Sequence, residues 1–124
     1  MARITSHLVD VAYLLLRVVT GLLFAQHGVQ KVFGLLGGNR MPLMSEFGLA
    51  GVIELVAGLM VAFGVFPRWA ALLASGEMAV AYFTVHAPRG FWPVGNGGEL
   101  AVIYCLVFLC IAARGGGMLT VTRD

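Results

Sequence analysis

Charge is what this sequence has least of. Asp, Glu, Lys and Arg make up 11% of its 124 residues, where a soluble domain carries roughly 25%. Sixty per cent of the residues are hydrophobic and the mean hydropathy is +0.92. A chain this small cannot hide so much apolar surface from water, so the composition argues against a soluble domain and for an integral membrane protein. Basic runs are missing too, and a net charge of +2 gives no footing for a nucleic-acid partner. Cysteine is nearly absent. Cys105 and Cys110 are the only two; on a helix they lie about 140° apart around the axis, and their Cα atoms over about 7 Å apart, too far to bridge. They form neither a redox Cys-x-x-Cys pair nor a zinc spacing, so no metal is expected and they read as small apolar fillers. A cleavable leader is not expected either. Arg17 interrupts the first apolar stretch, and Leu23 with Ala25 makes a poor small-x-small cleavage site, so the segment reads as a retained helix.

What is present is four apolar segments. They run over Leu8–Phe33, Phe47–Phe66, Arg68–Ala87 and Gly98–Ala113. A spanning helix needs ~20 residues; the fourth is short and would borrow a turn from the Gly95–Gly97 region or from Arg114. The tight Phe66-Pro67-Arg68 link makes the second and third segments antiparallel neighbours, with Pro67 suited to a helix start. The expected fold is therefore an all-α integral membrane protein, a four-transmembrane-helix up-down bundle in a single domain over residues 1–124. Arg3, Arg68, Arg114 and Arg123 share one side with the Pro67 turn, against Arg40, Arg89 and the borderline Lys31 on the other. That bias predicts a multi-pass protein of a bacterial inner membrane with both termini cytoplasmic.

Within the apolar segments lie Arg17, His27, Glu54, Glu77, His86 and Glu99. Charges in hydrocarbon cost a few kcal/mol and normally face a protein interior. Counted at 1.5 Å per residue, Arg17, Glu54 and Glu77 fall in a central tier, and His27, His86 and Glu99 in an outer one. Arg17, Gly21, Phe24, Gly28 and Lys31 fall on one stripe of the first helix, where the glycines let a neighbour approach closely. Two readings of the central tier stand. In one, Arg17 staples Glu77, Glu54 or both; in the other, Glu54 carries protons. In the outer tier, histidines that titrate near neutrality sit beside a carboxylate and aromatic residues including Tyr82 and Trp92. His27, His86, Glu99, Trp92 and Tyr82 are the candidate ligand-binding residues, for a quinone or similar lipophilic ring. The plainer alternative is that the histidines sit hydrogen-bonded in the headgroup layer.

The order Arg17-x3-Gly21-x6-Gly28-x2-Lys31, then Glu54 with Gly58 and Gly64, the turn Gly64-Val-Phe-Pro-Arg-Trp-Ala70, Met78, Ala81 and His86, and Asn96-Gly-Gly-Glu99 before the Gly115–Gly117 exit resembles the DoxX family of small four-helix membrane proteins. The resemblance implies a small inner-membrane subunit of a quinone-linked oxidoreductase assembly, of the thiosulfate/sulfur or oxidative-stress kind. It implies oxidoreductase subunits as protein partners, beside the lipid bilayer or a second copy of the chain. The alternative it implies is a non-enzymatic scaffold or assembly chaperone that recruits partners, as distant relatives are, and a weaker one is a small transporter or proton-conducting subunit. The chain carries no flavin fingerprint or soluble redox domain, so any electron transfer would need a partner.

Overall fold

A computed structural model of the chain describes residues 2–123, all helix and loop. The main helices are α1 (Ala2–Phe33), α2 (Glu46–Phe63), α3 (Pro67–Ala81), the short α4 (Pro93–Asn96) and α5 (Glu99–Arg114). Helix α3 continues through a π-helical turn, Tyr82–His86, and a 3-10 turn, Ala87–Arg89. Among the described residues three helical runs are long and apolar enough to cross a membrane: Ala2–Phe33, Glu46–Phe63 and Pro67–Arg89. The fourth expected span falls short of that measure. Helix α5 has 16 residues, about 24 Å, because Gly97 (φ 76°) and Gly98 precede it and Gly115 (φ 95°) ends it.

Local sequence explains the helix ends. Ser45 caps α2, its hydroxyl accepting from Gly48 N at 3.1 Å. Gly64 ends α2 in the left-handed conformation, where a side chain would be strained, and Pro67 opens α3 three residues later. The π turn has its cause in Pro88. Proline has no N–H to return and its ring crowds the preceding turn, so the ladder widens before it, and Ala87 N bonds Tyr82 O five residues back.

The packing follows the small residues. A Cβ on Gly21 would lie 2.6 Å from Ala62 N and Gly58 O, and one on Gly58 would lie 2.6 Å from Ala25 N and Gly21 O. Helices α1 and α2 therefore touch backbone to backbone, as the stripe on α1 predicts. Helix α5 packs along α3 through Ala71, Ala74, Tyr104 and Phe108, and the Ser75 hydroxyl donates to Cys105 O at 2.8 Å. Phe24 joins α1 to α5, 4.8 Å from the Phe108 ring and 5.2 Å from Tyr104. Outside this core, Leu15, Leu16, Val19, Leu22 and Leu23 on α1 are all exposed. Large apolar residues outward and glycine, alanine and charge inward is the arrangement of a helix bundle solvated by lipid.

Candidate functional site

The polar residues do not form the two expected tiers. Among the described residues Arg17 meets no carboxylate. It is 1% exposed and donates to main-chain carbonyls: Nη1 to Gly116 O at 2.6 Å and Met118 O at 2.7 Å, Nη2 to Leu119 O at 3.0 Å and Ala62 O at 3.3 Å. The staple from Arg17 to Glu77 or Glu54 is corrected accordingly. The depth count began at Leu8, but residues 2–9 are exposed and the first buried residue of α1 is Tyr13. Arg17 therefore sits about one turn inside the bundle, level with the chain's own tail. That end is closed by further ties. Tyr13 donates its hydroxyl to Gly115 O, Arg68 caps α5 at Ala113 O (2.8 Å) and Arg114 O (3.1 Å), and Phe66 N donates to Thr122 Oγ1 at 2.8 Å.

At the other end the remaining charges meet. Lys31 Nζ donates to both Glu54 oxygens, at 2.9 and 2.7 Å, the sole ion pair among the described residues. A lysine at the borderline of a span can snorkel outward. Instead its stem lies over Gly51, where a Cβ would come within 2.6 Å of Lys31 Cβ, and this brings the ammonium back to Glu54. Glu54 is 1% exposed. Glu77 on α3 faces Glu54 carboxyl to carboxyl; both its oxygens are buried, and no N–H or hydroxyl group of another side chain or of the backbone donates to them.

These groups border a cavity of about 500 Å³ between α1, α2, α3 and α5. Its polar lining is His27, Lys31, Glu46, Glu54, Glu77, Thr84 and His86; its apolar walls include Phe24, Ile53, Met78 and Tyr104. Exposed Leu49 on α2, Val80 on α3 and Thr84 in the π turn flank it, so it opens between those helices. His27 stands edge-on to Tyr104, ring centres 6.0 Å apart, with no protein hydrogen bond among the described residues. His86 Nδ1 is 3.2 Å from Asn96 O.

So the structure brings His27 and His86 together with Glu54 and Glu77, merging parts of both expected tiers. It does not bring Glu99, Trp92 or Tyr82 to the cavity. Glu99 is exposed at the start of α5; Tyr104, five residues on, is about 140° around the helix and takes the inward place. Trp92 is 70% exposed and packs edge-on against Phe91 at 5.0 Å. Tyr82 is held by Asn96, whose Nδ2 donates to its hydroxyl at 3.2 Å and to Gly90 O at 3.0 Å, while Oδ1 accepts from Gly98 N at 2.8 Å. Asn96, 2% exposed, fixes the loop that orients His86. Its only sequence signal was its place before two glycines. Among the described residues no group of three His, Cys, Asp or Glu could hold a metal ion.

Comparison with known proteins gives the following. The family model described as DoxX matches residues 12–87. A Haemophilus influenzae protein named "Uncharacterized protein" is 41% identical over 109 residues, 82% of this chain and 81% of its own. A Bacillus subtilis protein named "Putative oxidoreductase CatD" is 30% identical over 116 residues, 89% of this chain and 84% of its own. No solved structure matches.

Proposed function

The chain belongs to the DoxX family, and from that membership we propose that it is a small bacterial inner-membrane subunit of a quinone-linked oxidoreductase assembly. The observation that carries this reading is the lipid-facing cavity. At about 500 Å³ it falls inside the ~300–1,000 Å³ range of small-molecule sites, and like them it is mainly apolar with a few convergent polar groups. Phe24, Ile53, Met78 and Tyr104 would flank a flat ring, and His27 would meet a ring oxygen. An isoprenoid tail would leave between α2 and α3 into the bilayer. The name borne by the Bacillus subtilis relative supports an oxidoreductase setting. In such an assembly a redox partner would exchange electrons with the ring held in the cavity.

In this reading α5 is the fourth span. It lies alongside α3 within the bundle, and a membrane accommodates a helix of ~24 Å by thinning locally. The positive side chains orient the bundle. With Lys31 paired to Glu54, Arg40 and Arg89 are left on one side, against Arg3, Arg68, Arg114 and Arg123 on the other, a bias that supports both termini on the cytoplasmic side.

The test is photolabelling. An azido-substituted benzoquinone with a short alkyl tail is irradiated with the purified protein in lipid nanodiscs and the labelled peptides are mapped. Label on α1 and α3 near His27, Glu77 and His86, competed away by unlabelled quinone, supports the site. Label scattered over the lipid-facing leucines, unchanged by competitor, overturns it.

A further inference from the structure

The cavity's hydrogen-bonding roles are more tightly fixed than its composition suggests. The Glu54 oxygens are both taken by Lys31. The two Glu77 oxygens are buried and unmet. An ionised carboxylate only accepts. Should the neighbouring carboxyls share a proton, it lies between them, and the remaining Glu77 oxygen still accepts. His86 is fixed by its neighbour in the same way. A backbone carbonyl only accepts, so the contact with Asn96 O puts the hydrogen on Nδ1, and in the neutral ring Nε2 is left as an acceptor. On the donor side, Lys31 spends two of three N–H groups on Glu54 and keeps one. His27 can take either role.

The open polar positions are thus mainly acceptors, and an occupant must bring donors. We infer that the cavity selects the reduced hydroquinone over the oxidised quinone, with a ring hydroxyl donating to the Glu77 carboxyl. This rests on the quinone-site reading above and narrows it. A hydroquinone presents two O–H donors. A quinone presents only acceptors, and leaves buried Glu77 unmet, an omission that costs more than a hydrogen bond gains. His86 Nε2, nine residues along from Glu77 toward the 90–98 loop, is a second acceptor that a hydroxyl or a water can reach.

The experiment compares one redox pair. A decyl-substituted benzoquinone and its hydroquinone are titrated anaerobically, by isothermal calorimetry, into the full-length protein in nanodiscs, with empty nanodiscs subtracted for partitioning. The expected result is hydroquinone binding about tenfold tighter, roughly the worth of one hydrogen bond to a buried acceptor. Glu77→Gln offers a donor as well as an acceptor, so the preference should fall to within about threefold, mostly through gained quinone affinity. The same variant with circular dichroism like wild type separates this from misfolding. Equal binding of the two forms, or tighter binding of the quinone, by wild type overturns the inference and leaves the quinone site standing. So does an unchanged preference in Glu77→Gln. Binding of neither form sinks the site itself. Tighter binding of a decyl-ammonium of similar size than of either ring overturns the inference in favour of a cation site.

Discussion

Lys31→Met isolates the electrostatics of the buried pair. The pair is bidentate, at 2.9 and 2.7 Å, and lopsided in burial, with side-chain exposure of 27% for Lys31 and 2% for Glu54. Methionine keeps most of the stem over Gly51, so the substitution removes mainly the charge. Breaking a fully buried pair costs about 3–5 kcal/mol, because the abandoned charge stays buried. Lys31 is partly solvated, and Glu54 can lessen its loss by taking a proton, so we expect about 2–3 kcal/mol. Adding Glu54→Gln removes the stranded charge and should return about 1–2 kcal/mol. The assay is steric trapping of unfolding in bicelles, with wild type, both single variants and the double variant forming one cycle. The reasoning is refuted if Lys31→Met lies within about 0.5 kcal/mol of wild type, or if the two single losses simply add in the double variant.

Arg17→Met should cost about 3 kcal/mol, since four carbonyls lose a charged donor and those nearest the surface recover water; faster trypsin cleavage at Arg123 in the variant would report the freed tail, and an unchanged rate would speak against it. Gly58→Leu should disrupt the bundle by well over about 3 kcal/mol, because the clash is with the α1 backbone. Gly76→Ala is the control: nothing lies within 4 Å of its Cβ position, so it should be neutral or gain up to about 1 kcal/mol, and thermal melts of the two variants in one detergent decide the contrast. With Cys105 and Cys110 replaced by alanine, Arg40→Cys should react with an impermeant maleimide on spheroplasts and Arg123→Cys only after lysis; the reverse pattern would invert the bundle.

Much of the scaffold was legible from the sequence because it rests on side-chain chemistry with a period. The glycines of α1 recur at helical spacing, and Pro67 marks a turn too short for anything but antiparallel neighbours. The polar site was read only in part, and the misses share a cause. Arg17 binds main-chain carbonyls, which every residue carries and no pattern advertises. Its depth was misjudged because an apolar run shows where a helix is oily, and not where its partners begin. Lys31 was placed at the rim because lysine can reach either way, and the choice was made by Gly51 on another helix. The π turn shifts the register of His86, and nothing between Tyr82 and His86 announces it; Pro88, further on, does.

The grip of Arg17 on the tail also bears on biogenesis. Its acceptors at Gly116, Met118 and Leu119 lie 99, 101 and 102 positions later in the chain. At ~5–20 residues per second of synthesis, the Arg17 guanidinium therefore waits on the order of 5–20 s for three of its four acceptors. Helix α1 can pack on α2 through its glycine face long before the segment that completes the Arg17 site is made. A stop codon at position 115 would keep every apolar segment and still remove those three acceptors. Pulse-chase labelling should then show a product that reaches the membrane at the normal rate and is degraded faster than the full chain, and equal half-lives would show that α1 is held by its glycine face alone.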